Sequence, residues 1–391
     1  MSEMVVPDGW EVKRLGVCCD VLDSQRVPLN SQERLSRKGV YPYYGANGVQ
    51  GYIDDFIFEG ESVLLAEDGG YFSEYATRPI ANFVTGRYWV NNHAHILRAK
   101  SDILNRWIYY SLVHKNILKH INGGTRAKLN QSDLKEILVP LPPLPEQQKI
   151  ASILTSVDEV IEKTQSQINK LQDLKKGTMN ELLTKGIGHT EFKDSPVGKI
   201  PVEWEVQEIE SVINNLIDYR GKSPPKYSSG VPLLTAKNIR KGYIDSEPRE
   251  FIEEDKFDSW MVRGIPTVGD VFFTTEAPLG NVALVPDYKF AIGQRVIALC
   301  PDVDKLNSVY LLYVLQGEIV KKQLFLDSTG STVSGVKQST FRKILILSPP
   351  LQEQQKIASI LSSMDSHIEE KQRKLEQTQS LKKSLMQDLL T

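Results

Sequence analysis

Apolar residues recur in steps of four and three along two stretches of the chain. The first runs Ile150, Leu154, Val157, Ile161, Ile168 and Leu171, with Thr164 as a polar layer in mid-run. The second runs Ile357, Leu361, Met364, Ile368 and Leu375, with Lys371 and Thr378 in step. This spacing predicts two long amphipathic helices, each with a narrow heptad seam. Both open on nearly the same words: Pro142-Pro143-Leu144-Pro145-Glu146-Gln147-Gln148-Lys149-Ile150-Ala151-Ser152-Ile153-Leu154 and Pro349 to Leu361, which differ only at Pro145 against Gln352. The prolines end the preceding segment and suit the first helical turn. Glu146 and Glu353 fall where the helix dipole favours a carboxylate. The 207-residue spacing holds to Leu182-Leu183-Thr184 against Leu389-Leu390-Thr391, so the chain is a tandem duplication.

A helix from Glu146 to Leu183 would be roughly 55–60 Å long at 1.5 Å per residue. One such helix cannot bury its seam alone, and the nearest equivalent partner is the other copy. The two are expected to pair as an antiparallel coiled coil with a pseudo-two-fold axis.

Between the helices the pattern changes to short β-type runs, Val63 to Ala66, Ala94 to Leu97, Val271 to Thr275 and Val296 to Leu299, and to amphipathic helices at Trp107 to His120 and Val309 to Leu324. Each half begins with a proline–tryptophan entry, at Trp10 and Trp204. The fold class is therefore α+β. The expected division is a globular domain over 1–141, a helix over 142–184, a Gly- and Lys-bearing linker over 185–200, a second globular domain over 201–348 and a second helix over 349–391.

Composition narrows the function. No run of apolar residues is long enough to span a membrane, and the N-terminus lacks a signal-peptide pattern. Cys18, Cys19 and Cys300 form no disulfide framework or metal spacing, and a reducing cytoplasm is the expected setting. The net charge of −2 gives no global sign of nucleic acid. Local clusters answer this. A pseudo-two-fold chain with two different globular ends on a rigid spacer suits a DNA target with two different half-sites.

Candidate DNA contacts in the first domain are Arg26, Lys38, Tyr43, Tyr44, Asn47, Arg78, Arg87, Asn92, Arg126 and Lys128. In the second they are Lys222, Lys237, Asn238, Arg240, Gln294, Arg295 and Lys337. Arg reads guanine, Asn and Gln read adenine, and Lys meets phosphates. Taken singly, each is better explained as a solvated surface group, and it is the joint occurrence of basic clusters in both domains that points to DNA. The near-identity of the helix starts, against divergent globular domains, marks Glu146, Gln147, Lys149, Glu353, Gln354 and Lys356 as a surface shown twice to one kind of partner.

Catalytic motifs are absent from the sequence. No Pro-Pro pair is followed by an aromatic residue, and no Walker A or G-x-G-x-x-G occurs. His93 and His95 alternate as on one strand face, with no third ligand nearby, and read as polar groups rather than a metal site.

The duplicated Pro142–Leu154 and Pro349–Leu361 stretches, the Tyr43-Tyr44-Gly45-Ala46-Asn47-Gly48 loop and the Trp10 and Trp204 entries together resemble the specificity subunit of a type I restriction–modification system, over the whole chain. The resemblance implies two target-recognition domains, each reading one half of a split asymmetric DNA site. It implies that the helices set the gap and dock two methyltransferase subunits, which bind S-adenosylmethionine and modify adenine N6. Translocase–nuclease subunits would complete the restriction enzyme. This chain would be non-catalytic and hold no cofactor. Two other readings stand beside it: a scaffold without DNA, which leaves the basic clusters unexplained, and a self-sufficient enzyme, which lacks a catalytic constellation.

Overall fold

The computed structural model describes residues 6–123, 127–219, 223–327 and 335–390. Two compact units divide the chain. The first joins residues 1–165 with 373–391, and the second is continuous over 166–372. Among the described residues, the helices of eight residues or more are α1 (Asn105–Leu112), α2 (Leu144–Lys185), α3 (Ser308–Leu315), α4 (Glu318–Asp327) and α5 (Leu351–Leu389). α2 and α5 are the long helices that the seams predict. Each contributes one end to each unit.

The seam residues are the ones that bury. Ile150, Leu154, Thr164 and Ile168 are buried on α2, as are Ile357, Leu361, Ile368 and Leu375 on α5. Within the second unit the two helices run antiparallel. Lys175 pairs with Asp365, while Ile187, just past the end of α2, donates its backbone N–H to Glu353 at the start of α5. Within the first unit Asp158 meets Lys382 at 2.6 Å. There Leu385, Met386, Leu389 and Leu390 pack against the core that holds Ile150 and Leu154.

Each unit carries a four-stranded antiparallel sheet of the same order. In the first unit the strands are β1 (Cys19–Val21), β2 (Ser62–Ala66), β3 (Ala81–Val84) and β4 (Ala94–Ala99), ordered β1-β4-β2-β3. In the second they are β5 (Ile213–Asp218), β6 (Val271–Thr274), β7 (Val282–Leu284) and β8 (Val296–Pro301), ordered β5-β8-β6-β7. β2 and β6 are buried along their whole length, as the apolar runs 63–66 and 271–273 within them require of a strand covered on both faces.

The globular helices are shorter than their pattern. The run from Trp107 to His120 stops at Leu112, followed by a 3₁₀ turn at Leu118–His120. The run from Val309 to Leu324 breaks at Gly317 into α3 and α4. Glycine carries a backbone-entropy penalty in a helix, and here it separates two packed segments.

The tryptophan entries become edge strands. Glu11–Arg14 pairs antiparallel with Leu138–Leu141, and Glu205–Glu208 with Leu345–Ser348. The partner strand in each case leads straight into the long helix. Residues 192–201 form a hairpin, Phe192–Ser195 with Gly198–Pro201.

Candidate nucleic-acid interface

One end of each four-stranded sheet is built on a shared backbone frame. In the first unit the N–H of Glu67, just after β2, donates to the carbonyl of His93, just before β4. The N–H of Leu129 then donates to the carbonyl of Glu67. In the second unit Thr275 N–H donates to Arg295, and Val336 N–H donates to Thr275. The next residues match as well: Gly69 and Ala277 both have positive φ, 64° and 46°. A non-glycine residue there is unusual and marks a turn held by its surroundings.

A further strand pair brings one more loop to this end. Lys38–Gly45 lies parallel to Arg87–Val90, and Val231–Leu234 lies parallel to Ala291–Ile292. The first strand of each pair delivers Ala46-Asn47-Gly48 in one unit and Thr235-Ala236-Lys237 in the other. The second strand runs on to Asn92-His93 or to Gln294-Arg295.

On the common frame the side chains differ. In the first unit His93 Nδ1 is 2.7 Å from Asp68, and Asn47 donates to the Gly69 carbonyl. Asn47 and Asn92 are exposed, and so is Lys128, which lies 3.4 Å from Glu67. In the second unit Arg295 pairs with Glu276 at 3.0 Å across the equivalent positions. Arg295 adopts φ 69°, the left-handed region that its side chain disfavours. Around it lies a cleft of about 130 Å³ lined by Lys226, Thr235, Lys237, Gln294 and Arg295 among others. Lys337 follows Val336 and is exposed. Asn47, Asn92 and Lys128 are thus gathered at one sheet end, and Lys237, Gln294, Arg295 and Lys337 at its counterpart.

Other candidates lie elsewhere. Lys38 begins the strand that ends at Gly45, and lines a cleft of about 540 Å³ with Arg34, Gln50 and Tyr52. Arg87 begins the strand that ends at Val90, pairs with Glu59 and stacks on Phe56. Arg78 pairs with Glu74 and lies over Tyr71. Arg240 holds Asp245 through Nε and a terminal nitrogen, at 3.2 and 3.0 Å. The backbone N–H of Glu247, then Arg240, keeps the Asp245 carboxyl below its ordinary range. Tyr44 is half-buried with its ring edge-on to Tyr88. Arg126 and Lys222 lie outside the described residues.

Three assignments are corrected by burial. Tyr43 is buried, its hydroxyl 3.3 Å from the Leu29 N–H. Asn238 is buried and ties Thr235 to the carbonyls of Asp245 and Pro248. Arg26 donates to Glu67 and to the carbonyls of Asn92 and Ala94, with its side chain 13% exposed. Each secures loops that carry exposed residues, and none offers a free edge to a base.

The histidines also differ from expectation. His93 sits in the turn before β4 and does not share a strand face with His95. His95 does have acidic neighbours, Asp23 and Glu67. Its Nδ1 lies 2.6 Å from Asp23 and its Nε2 2.8 Å from the Leu129 carbonyl, so neither nitrogen is left for a metal. Burial raises the Asp23 pKa. The hydrogen bond and charge of His95, the Ile96 N–H and Arg26 outweigh it and hold the carboxyl below its usual value.

The duplicated helix start has an internal task that composition concealed. Gln147 is buried: it accepts from the Leu104 N–H and donates to the Pro142 carbonyl. Gln354 does the same with Asn307 and Pro349. Glu146 accepts from the Trp10 indole at 3.1 Å. Glu353 accepts from the Trp204 indole, from His189 and from the Ile187 N–H. Gln147 and Gln354 are therefore corrected from partner contacts to joints between the head of the globular helix and the start of the long helix. Glu353 is likewise engaged within its unit, while Lys149 and Lys356 remain exposed. The signal for this was present: each Glu-Gln pair recurs with an entry tryptophan.

Comparison with known proteins gives one family. The model for the type I restriction modification DNA specificity domain matches residues 7–173 and again 201–378. The MjaX and MjaVIII type I restriction enzyme specificity subunits of Methanocaldococcus jannaschii are 32% and 29% identical, over 99% and 100% of this chain and 94% of each relative. The crystal structure of a type I restriction–modification S subunit from M. genitalium aligns with a TM-score of 0.67 at 15% identity, covering 99% of this chain and 98% of that one. With the family domain matched twice, once in each half, the chain belongs to the specificity subunits of type I restriction–modification systems.

Proposed function

We propose that each unit reads one half of a bipartite, gapped DNA site, and that the paired helices set the gap. The observation that carries this is the common loop frame with exchanged side chains: His93 and Asp68 in one unit stand where Arg295 and Glu276 stand in the other. One backbone design with two different polar surfaces is what an asymmetric target needs. Asn47, Asn92 and Lys128 face one half-site, and Lys237, Gln294, Arg295 and Lys337 the other. Lys128 pairs with Glu67 and Arg295 with Glu276, acids on neighbouring loops that hold the cations in place.

The chain is read as non-catalytic. Two methyltransferase subunits dock on the repeated helix starts, where Lys149 and Lys356 are exposed, and supply S-adenosylmethionine for adenine N6 methylation. A solved structure similar in fold, with a TM-score of 0.53 at 17% identity, concerns complex assembly and conformational transition of the type I system, which fits such partners. Translocase–nuclease subunits would complete a restriction enzyme. Methylation of a base inside a duplex requires its extrusion by the partner.

Coexpression with a methyltransferase partner in a methylation-free host, followed by single-molecule mapping of N6-methyladenine, tests this. A gapped asymmetric motif is expected. A short ungapped motif defeats the two-ended spacer, and no modification by a demonstrably bound pair favours a scaffold.

A further inference from the structure

A heptad seam fixes the face on which two helices meet but tolerates a slide of seven residues, because the apolar pattern repeats. Something else must choose the register. One polar device between the helices is built twice. In the second unit Asp365 of α5 accepts from the Tyr313 hydroxyl of α3 at 2.7 Å and from Lys175 of α2, and the Lys175 ammonium lies 5.3 Å from the Tyr313 ring centroid. In the first unit Asp158 of α2 accepts from the Tyr110 hydroxyl of α1 at 2.8 Å and pairs with Lys382 of α5, which lies 5.9 Å from the Tyr110 ring. The side chains of Lys175 and Lys382 are 20% and 17% exposed, so both are largely buried.

We infer that these two Tyr–Asp–Lys triads are the register determinants of the paired helices. Both aspartates and both lysines are related by the 207-residue repeat, so one alignment satisfies the two pairs together. A slide of one heptad in one direction sets Asp365 against Leu182 and Asp158 against Leu389, with the lysines facing Gln372 and Gln165. The opposite slide sets Asp365 against Ile168 and Asp158 against Leu375, with the lysines facing Ala358 and Ala151. Each wrong register therefore strands two carboxylates against aliphatic side chains while leaving the seam apolar. Single polar positions fix register in this way in coiled coils, and replacing them by apolar residues often keeps stability while losing uniqueness. The tyrosines add a second role: each ties the globular helix to the same carboxylate, so the recognition unit and the helix register share one anchor.

The functional consequence rests on the reading that the helices set the gap between half-sites. The test replaces Asp158, Asp365, Lys175 and Lys382 together by Leu and maps methylation with the partner present. The expected result is unchanged half-sites with a second gap length, at up to about 10% of modified sites, the population range of a minor conformer. A control with both pairs reversed, Asp158→Lys with Lys382→Asp and Asp365→Lys with Lys175→Asp, keeps a single gap. A folded Leu variant with only the native gap overturns the inference. If that variant does not fold, Asp158→Asn with Asp365→Asn replaces it, and a single native gap overturns the inference equally. If the unaltered chain yields no bipartite motif, the functional reading has failed, and register is read by disulfide trapping instead. Lys175→Cys with Gln372→Cys marks the slid register: it should cross-link in an Asp158→Asn background and not with Asp158 intact. Cross-linking in neither background overturns the triads' role.

Discussion

Trp204 donates its indole N–H to Glu353 at 2.9 Å, as Trp10 does to Glu146 at 3.1 Å. The two contacts are repeats of one joint, yet their surroundings differ. Glu353 is mostly buried and also takes His189 and the Ile187 N–H, whereas Glu146 is exposed. Glu353→Ala leaves three donors short of an acceptor and should cost about 2–4 kcal/mol, from hydrogen bonds to a charged group. Glu146→Ala should cost under about 1 kcal/mol, as exposed interactions do. Urea unfolding of each variant measures the difference, and equal effects would contradict the joint's asymmetry.

Gln147 and Gln354 carry a sharper expectation. Each side chain satisfies a backbone N–H at the head of a globular helix and a proline carbonyl at the start of a long one. Truncation to Ala orphans buried groups at about 1–3 kcal/mol each. The effects should add, because the two sites lie in different units and bond different backbone groups. Methyltransferase binding by the folded variants, assayed well below their melting temperature, should be unchanged. Lost binding with unchanged stability would return these residues to a partner surface.

These two residues show where sequence reading reached its limit. The long helices were legible because period and repetition are local and strong: Ile150, Leu154, Ile357 and Leu361 all bury as the seam requires. A glutamine on such a helix looks like surface, and only the fold turns Gln147 inward. In the same way Tyr43 and Asn238 have the chemistry of base readers but lie beneath their loops. Asn92-His93 and Gln294-Arg295 each stand just before a short apolar run in the sequence. Their shared hydrogen bonds to Glu67 and Thr275 are contacts across loops, which no spacing rule encodes.

The Asp23 network predicts a pH effect confined to acid. Folding lowers the Asp23 pKa, through His95, the Ile96 N–H and Arg26 working against burial. A depressed carboxyl stabilises above its unfolded value, near about 4, and that contribution drains as pH falls through the folded value. Asp23→Asn should therefore be less stable at neutral pH, by about 1–3 kcal/mol. Its stability should also vary less steeply with pH below about 4. Thermal unfolding from pH 3 to 7 decides this, and parallel curves for both proteins would mean that Asp23 does not titrate with folding.

The exchanged pairs at the two sheet ends give the last prediction. Arg295 projects beside Gln294 and Lys237, is about half exposed, and is steadied by Glu276. Its strained φ of 69° places the guanidinium where a relaxed backbone would not. If it reads a guanine edge, Arg295→Ala should weaken binding to the proper site by about 1–3 kcal/mol and relax one position of one half-site. The other half-site and the gap should be untouched, because the first unit has its own loops. Lys237→Ala should instead weaken binding evenly across sequences and lower the salt slope by about one, the mark of a phosphate contact. Glu276→Gln supplies the control: it frees Arg295 from its acidic neighbour, so nonspecific affinity should rise while selectivity at that position falls. Competition binding with the methyltransferase complex, run at two salt concentrations on sites varied at each base, separates these outcomes. An even loss from Arg295→Ala would reassign that residue to the backbone and leave Gln294 as the base reader at this end.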